Sequence, residues 1–287
     1  MTDTFFHIFE DRAVVAVGGP DAPTLLGDLV TGDTVGLDHT RAGYAALLTP
    51  QGKILFDFLV FRDEDRFLLD APADSATALV QRLTLYRLRS NVDISPLRDA
   101  RVVAAWGEHV RDLPGLVPDP RLADLGARGI LAPDQEIDPA LAAPADAAAY
   151  HARRIALGVP QAGADFGYGE VFPHDIAMDQ LGGVDFRKGC YVGQEVVSRM
   201  QHRGTARRRI VLVASQSPLP EAGTALKDGE KPVGILGSAA GTHGIAIVRL
   251  DRAGEALQAG RAIDAGGAPV TLEIPAWASY GWPEADG

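Results

Sequence analysis

Residues 42–72, AGYAALLTPQGKILFDFLVFRDEDRFLLDAP, constrain the fold most, because they hold three strand-like runs joined by two tight turns. The turns at 49–52 and 62–65 contain the Pro, Gly and Asp residues that are typical of chain reversals between strands. Residues 74–88 then predict an amphipathic helix, with Asp74 as its N-cap. Three antiparallel strands followed by a helix predict an α+β layer.

The texture of the sequence changes near residue 205. Beyond it, short strand-like runs broken by glycine turns predict a small β-barrel. Residues 111–148 are rich in Pro, Ala and Asp, and we interpret them as surface loops and short elements without a chemical role. We predict a body over 1–205, with an inserted layer at about 44–100, and a barrel domain over 206–287. Further strands and helices are predicted at 13–17, 102–106, 150–160 and 194–200.

Composition limits the class of protein. The chain has 27 basic and 38 acidic residues, a net charge of −11, and one cysteine, so it can form no internal disulfide. Its apolar stretches are too short to span a membrane, and its first residues resemble neither a signal nor a transit peptide. We therefore expect a soluble cytoplasmic protein without a membrane partner, and its acidity argues against non-specific binding of nucleic acid.

The lone cysteine, Cys190, lies in the stretch KGCYVGQE at 188–195. Arg187 and Lys188 precede it and a helix is predicted to begin near Gly193, and both features increase the reactivity of a thiol. The alternative is a small buried hydrophobic residue, the usual role of a lone cysteine. One cysteine cannot build a metal cage, and the seven histidines lack ligand spacing, so no metal site is predicted.

This stretch, followed by Arg199 and by His202-Arg203-Gly204, resembles the signature of the YgfZ-type folate-binding proteins. That family belongs to the superfamily of the glycine-cleavage aminomethyltransferase, the T-protein. The resemblance covers roughly 10–95 and 148–250. It is carried in order by LLGDLVTGD at 25–33, YAALLTPQGKILFDFLV at 44–60, YRLRSNVDI at 86–94, RRIALGVP at 153–160 and FPHDIAMDQLGGVDFRKGC at 172–190.

The resemblance implies an α+β fold in three parts around a central hole that binds tetrahydrofolate. The parts are an N-terminal α/β region, a ferredoxin-like layer and a C-terminal β-barrel. The implied function is support of iron–sulfur cluster assembly or repair in client enzymes, including enzymes that modify tRNA. Cys190 is the implied functional thiol, the implied partners are client enzymes or cluster-assembly proteins, and relatives suggest a monomer.

An aminomethyltransferase is the first alternative, and an interaction module with a vestigial pocket is the second. Against the first, Asp70-Ala71 stands where the T-protein pattern has Asn-Ala, and Thr77 stands where it has a catalytic Asp. Ala156 occupies the position of its folate-binding Glu, although Asp74 could replace one missing carboxylate. We therefore favour an accessory protein over an aminomethyltransferase.

Candidate folate contacts follow from the same resemblance and from the needs of a pterin and a glutamate tail. Several candidates have a structural alternative. Tyr150 could be a core residue, Tyr191 could pack beneath the loop, and Glu195 could cap its helix. Arg199 and Arg203 could be solvated surface charges. The sequence from Phe186 to Arg209 contains seven basic residues and one acidic residue. This local surplus of positive charge favours an anionic ligand such as polyglutamyl folate. Direct contact with RNA is not expected there, because few aromatic residues are interleaved. The candidates are Tyr150, Lys188, Tyr191, Gln194, Glu195, Arg199 and Arg203.

Overall fold

The computed structural model describes residues 3–204 and 206–283. The chain forms two compact units. Unit 1 comprises the described residues up to Tyr150 together with Leu181–Gln194. Unit 2 comprises His151–Gln180 and the described residues from Glu195 onward. Our predicted boundary at 205 therefore falls inside unit 2, because the segment before Leu181 and the helix after Gln194 cluster with the barrel.

Unit 1 contains two five-stranded sheets, in the orders β10-β1-β7-β9-β8 and β3-β4-β5-β2-β6. Its strands are β1 Thr4–Phe9, β2 Arg12–Gly18, β3 Gly43–Leu48, β4 Ile54–Asp63, β5 Arg66–Pro72, β6 Asp93–Leu97, β7 Arg101–Gly107, β8 Leu116–Pro118, β9 Ala127–Leu131 and β10 Ala143–Pro144. Its helices are α1 Ala22–Leu29, α2 Ala73–Arg87 and the start of α3 Ala147–Ala156.

The three strands predicted within 42–72 are confirmed as β3, β4 and β5, which pair antiparallel in sequence order. Runs of Leu, Val and Phe form these strands because such side chains pack well on a pleated, buried surface. β5 also pairs with β2, so that Val14 lies opposite Asp70. The Asp70 carboxylate therefore lies within a buried, largely apolar sheet.

The carboxylates near the starts of α1 and α2 do not cap these helices, so the predicted N-cap role of Asp74 is wrong. The Asp21 carboxylate makes no cap hydrogen bond to α1 and instead accepts one from the backbone N–H of Asn91 at 2.7 Å. α2 begins at Ala73 directly after Pro72, so Asp74 lies in its first turn, where a carboxylate is favoured by the helix dipole.

Residues 111–148 contain loops and short elements as predicted, but one of these elements is a buried strand and does not lie at the surface. Within this range β9 lies between β7 and β8 and buries Leu131 completely. Arg128 on β9 is only 3% exposed. Sequence reasoning missed this strand because short runs among Ala and Pro show no clear period, and because the partners of its charged residue lie far away in the chain.

Unit 2 contains a closed barrel in the order β11-β14-β13-β12-β15-β16, which confirms the predicted β-barrel. Its strands are β11 Arg208–Ser215, β12 Ala225–Asp228, β13 Lys231–Ala240, β14 His243–Arg249, β15 Ile263–Ala265 and β16 Ala268–Glu273, and its helices include α4 Gln194–Arg203 and α5 Leu250–Gln258. Val211, Leu226 and Val248 are buried in the barrel core. No helix among the described residues is long and apolar enough to cross a membrane.

Candidate functional site

The segment 183–193, here named the thiol loop, is tied to the end of α1 through Thr31. The hydroxyl of this fully buried residue donates to the carbonyl of Gly183 at 2.6 Å, and its own carbonyl accepts from the N–H of Asp185 at 2.9 Å. The same hydroxyl accepts from the N–H of Ala46 on β3 at 2.9 Å. One threonine therefore joins three segments that are far apart in sequence.

Lys188 gives the loop a second attachment. Its Nζ donates to the carbonyls of Val30 at 2.7 Å and Gly32 at 3.0 Å, and lies 5.6 Å from the ring centroid of Tyr191. Burial lowers the pKa of Lys188 although nearby carboxylates, led by Asp33, oppose that change. Two of its three N–H groups thus hold the loop, and its predicted contact with folate stays a prediction.

Gly193 lets the loop pass closely over the β3–β4 turn. Its φ is +80°, and a Cβ at this position would lie 2.6 Å from the carbonyl oxygen of Thr49 and 3.0 Å from the Cα of Gly52. Only glycine adopts this backbone conformation without strain and leaves room for the turn. The motifs at 25–33, 44–60 and 188–195 therefore meet in one place.

The thiol loop presents Cys190 to solvent and buries its neighbour. Cys190 is a free, exposed cysteine, so the alternative of a buried core cysteine is wrong. Tyr191 is 7% exposed, and its hydroxyl has no hydrogen-bond partner among the described residues. Burial, assisted by Asp185, raises the pKa of Tyr191 to about 12, so the phenol is protonated at neutral pH. Tyr191 anchors the loop from below while the sulfur faces outward.

A cavity of about 370 Å³ borders the loop. Asp185 and Arg187 of the loop line it together with Asp33, Arg41 and Tyr44, whereas Cys190 is not among its lining residues. The Arg187 side chain is 96% exposed. The surface beside the thiol is therefore concave and carries charges of both signs.

Two of the predicted folate contacts on α4 form an ion pair at the surface. Glu195 and Arg199, one helical turn apart, make an ion pair of 2.7 Å with side chains 85% and 55% exposed. Arg203 is exposed at the end of the helix, and Gln194 begins it. An exposed pair of this kind contributes little stability, so both groups can exchange partners at low cost.

Unit 1 also buries a charged cluster around Asp70, which sequence reasoning did not place in a site. Asp70 is fully buried and accepts from Nε of Arg12 at 2.6 Å and from Nε of Arg128 at 2.9 Å. Burial would raise the pKa of Asp70, but the two guanidinium groups outweigh it and hold the pKa below its ordinary value of 3.8. The sequence signal was available, because a carboxylate inside an apolar strand requires a partner.

Tyr150 belongs to an adjoining part of this cluster. It is 2% exposed, and its hydroxyl accepts from Arg121 at 3.0 Å, while Arg121 also forms a bidentate pair with Asp119. The ring of Phe9 lies edge-on to that of Tyr150 at 5.0 Å, and Arg128 stacks on Phe9 at 4.1 Å. The aromatic rings match the chemistry of a pterin, whereas both guanidinium groups are already paired with carboxylates of the protein, Asp119 and Asp70.

Metal chemistry at the thiol needs additional ligands. In the described part of the chain, no three His, Cys, Asp or Glu side chains stand close enough to hold a metal ion. Iron–sulfur clusters are commonly held by four ligands, and one cysteine such as Cys190 can supply no more than one of them. The thiol can act as one ligand or one nucleophile within a larger assembly.

Comparison with known proteins identifies several relatives that share one name. A protein from Homo sapiens named iron-sulfur cluster assembly factor IBA57, mitochondrial, is 30% identical over 96% of this chain and 84% of its own. The counterpart of the same name from Mus musculus is 32% identical over 75% and 67%. A homolog from Mycosarcoma maydis is 36% identical over 70% of this chain and 54% of its own, so the chain spans about half the length of such fungal relatives.

These relatives are named mitochondrial, which contradicts our prediction of a cytoplasmic location.

Residues 207–280 match the family described as CAF17, C-terminal beta-barrel domain. The crystal structure of the glycine cleavage system aminomethyltransferase T from Bartonella henselae superposes with a TM-score of 0.75 at 19% identity, over 95% of this chain and 85% of that one. This likeness confirms the predicted T-protein-like fold.

Proposed function

We infer that the chain, which belongs to the IBA57 family of iron–sulfur cluster assembly factors, is an accessory protein in the assembly or repair of iron–sulfur clusters. The observation that carries this proposal is the thiol loop. Cys190 is exposed on this loop. Thr31 and Lys188 hold the loop by hydrogen bonds, and Gly193 allows its close approach to the β3–β4 turn. Residues of three sequence motifs thus contribute to the packing of a loop that exposes one sulfur atom.

A single thiolate requires a partner. One cysteine provides one of the ligands that a cluster needs, so a client enzyme or another assembly protein supplies the rest. The exposed Phe186, 36% accessible, and Arg187 precede Cys190 on the same loop and give such a partner an apolar and a cationic contact. We propose that the protein acts as a monomer that meets its partners through this loop.

We further propose that the protein binds tetrahydrofolate, as the YgfZ-type resemblance implies. Support comes from the neighbouring rings of Tyr150 and Phe9, which suit a pterin. Enzymes that modify tRNA are among the proposed clients. The proposed folate contacts are Tyr150, Lys188, Tyr191, Gln194, Glu195, Arg199 and Arg203.

Complementation tests the main proposal. The chain is expressed in cells that lack their own IBA57-type factor, directed to the compartment where that factor works, and the activities of iron–sulfur enzymes are measured in extracts. We expect these activities to be restored. Soluble, folded protein that restores none of them contradicts the assignment.

Calorimetry with tetrahydrofolate under anaerobic conditions tests the folate proposal separately. We expect saturable heat for the wild type and weaker binding for Tyr150→Phe, which keeps the ring but removes the acceptor of the Arg121 hydrogen bond. Absence of heat rejects folate binding and leaves the family role intact. Turnover of an aminomethyl donor in the same mixture would instead favour a transferase.

A further inference from the structure

We propose that unit 1 contains a second binding site, which takes a small amphipathic anion: an apolar ring or chain that carries one anionic group. The site is a cleft of about 530 Å³, within the usual size range of small-molecule sites. It lies between the β4–β5 hairpin, the β6–β7 turn and the segment that follows β9. None of its lining residues belongs to the thiol loop.

The floor and walls of the cleft are apolar. Phe61, Leu68 and Leu131 are 9%, 8% and 0% exposed and form the floor. Val117 and Ile130 line the cleft from the neighbouring sheet and are half-buried. Half-buried apolar side chains on a concave surface favour an apolar ligand, because covering them removes their remaining surface from water.

Arginines on the rim give the cleft its preference for an anion. The Nε of Arg62 donates to the carbonyl of Glu64 at 2.8 Å and its guanidinium stacks on Phe67 at 4.6 Å, but it has no carboxylate partner among the described residues. Arg98 is exposed and forms no ion pair within that part of the chain. Arg66 is already paired with Asp63 at 2.7 Å.

The rim thus carries Arg62, Arg66 and Arg98 against Asp63 and Asp99, in a protein whose net charge is −11. A local surplus of guanidinium groups in an acidic chain attracts an anion to this point. Guanidinium groups with unused N–H donors bind carboxylate, sulfonate or phosphate oxygens strongly.

The wall that closes the cleft is held in place by the protein itself. The guanidinium of Arg101 donates to the carbonyls of Ala132 and Gln135, and the side-chain oxygen of Gln135 accepts from the N–H of Ala132. The segment at 132–135 is therefore ordered before any ligand arrives. A preformed cleft loses less conformational entropy on binding, which favours affinity.

Fluorescence titration with 8-anilinonaphthalene-1-sulfonate, which combines two aromatic ring systems and one sulfonate, tests the proposal on the full chain. We expect saturable binding that weakens at least about tenfold in the Arg62→Gln/Arg98→Gln double variant, since the loss of even one charge-assisted hydrogen bond to the sulfonate costs about that factor. Ala132→Trp places a large ring in the cleft and should abolish the binding. The exposed Arg82→Gln on α2 is the matched control and should bind like the wild type.

Equal affinity in the wild type and the double variant overturns the proposal. Should Ala132→Trp fail to fold, as judged by thermal unfolding, the double variant alone decides, because both of its substitutions lie on the rim. An excess of tetrahydrofolate should leave the fluorescence unchanged. If tetrahydrofolate displaces the probe, the probe occupies the folate site and the second site is rejected.

Discussion

Replacement of Asp70 by Ala should cost this protein a large part of its stability. The Asp70 carboxylate is fully buried between Arg12 and Arg128, whose side chains are 13% and 4% exposed. Its removal leaves two guanidinium ions in a poorly solvated place without their counter-charge. Breaking a buried ion pair in this way costs about 3–5 kcal/mol. A loss of this size is a large share of the total stability of a typical domain.

Urea unfolding at pH 7 measures the effect, with Asp63→Ala as the matched control. The Asp63–Arg66 pair is about equally short, 2.7 Å, but its side chains are 40% and 45% exposed, so its loss should cost less than about 1 kcal/mol. If the two variants unfold at the same urea concentration, the buried cluster does not stabilise the fold as we argue.

The contribution of Asp70 to stability should depend on pH with a definite sign. Because the pKa of Asp70 is lowered in the folded state, its stabilising contribution is present above the unfolded pKa of about 4 and is lost as the pH falls through the folded value. The difference in stability between the wild type and Asp70→Asn should therefore shrink below pH 4. A difference that stays constant from pH 7 to pH 3 would contradict the role of the charge.

Two further predictions concern the thiol loop. Gly193→Ala should lower the free energy of unfolding by more than about 1 kcal/mol, because residue 193 has a left-handed backbone and a Cβ there would contact Thr49 closely. Gly189→Ala is the control and should be neutral in the same urea titration, because the space around it is open. Tyr191, with its pKa raised to about 12, should contribute stability below pH 10 that is lost as the pH rises towards 12. Tyr191→Phe should reduce that alkaline loss and remove one late-titrating phenol from the absorbance at 295 nm. An unchanged titration curve would show that Tyr191 is not a late-titrating group.

Much of the fold could be predicted from local patterns. The hairpins at 42–72 and the glycine-broken strands of the barrel show clear periods and turn residues, and both are observed. α5 was missed, because its short sequence LDRAGEALQ lies among strand-like runs and includes a glycine. The fold was predictable where periodicity and turn chemistry agree, and less so where an element is short.

The site was predictable only in part. The motif at 188–195 drew attention to Cys190, which is exposed, and its role as the functional thiol stays a prediction. The anchoring role of Lys188 was not predictable, because its partners are the carbonyls of Val30 and Gly32, about 160 residues earlier. Backbone acceptors carry no signature of their own in a sequence. The Asp70 cluster was missed for a related reason, since its charges come from distant strands.

The most direct test of the central claim is complementation with Cys190→Ser. The substitution replaces one exposed atom, so the variant should unfold at the same urea concentration as the wild type. We predict that it nevertheless fails to restore iron–sulfur enzyme activity in cells that lack their own factor, while Gly189→Ala restores it. Full restoration by Cys190→Ser would show that the exposed sulfur is not the functional group of this protein.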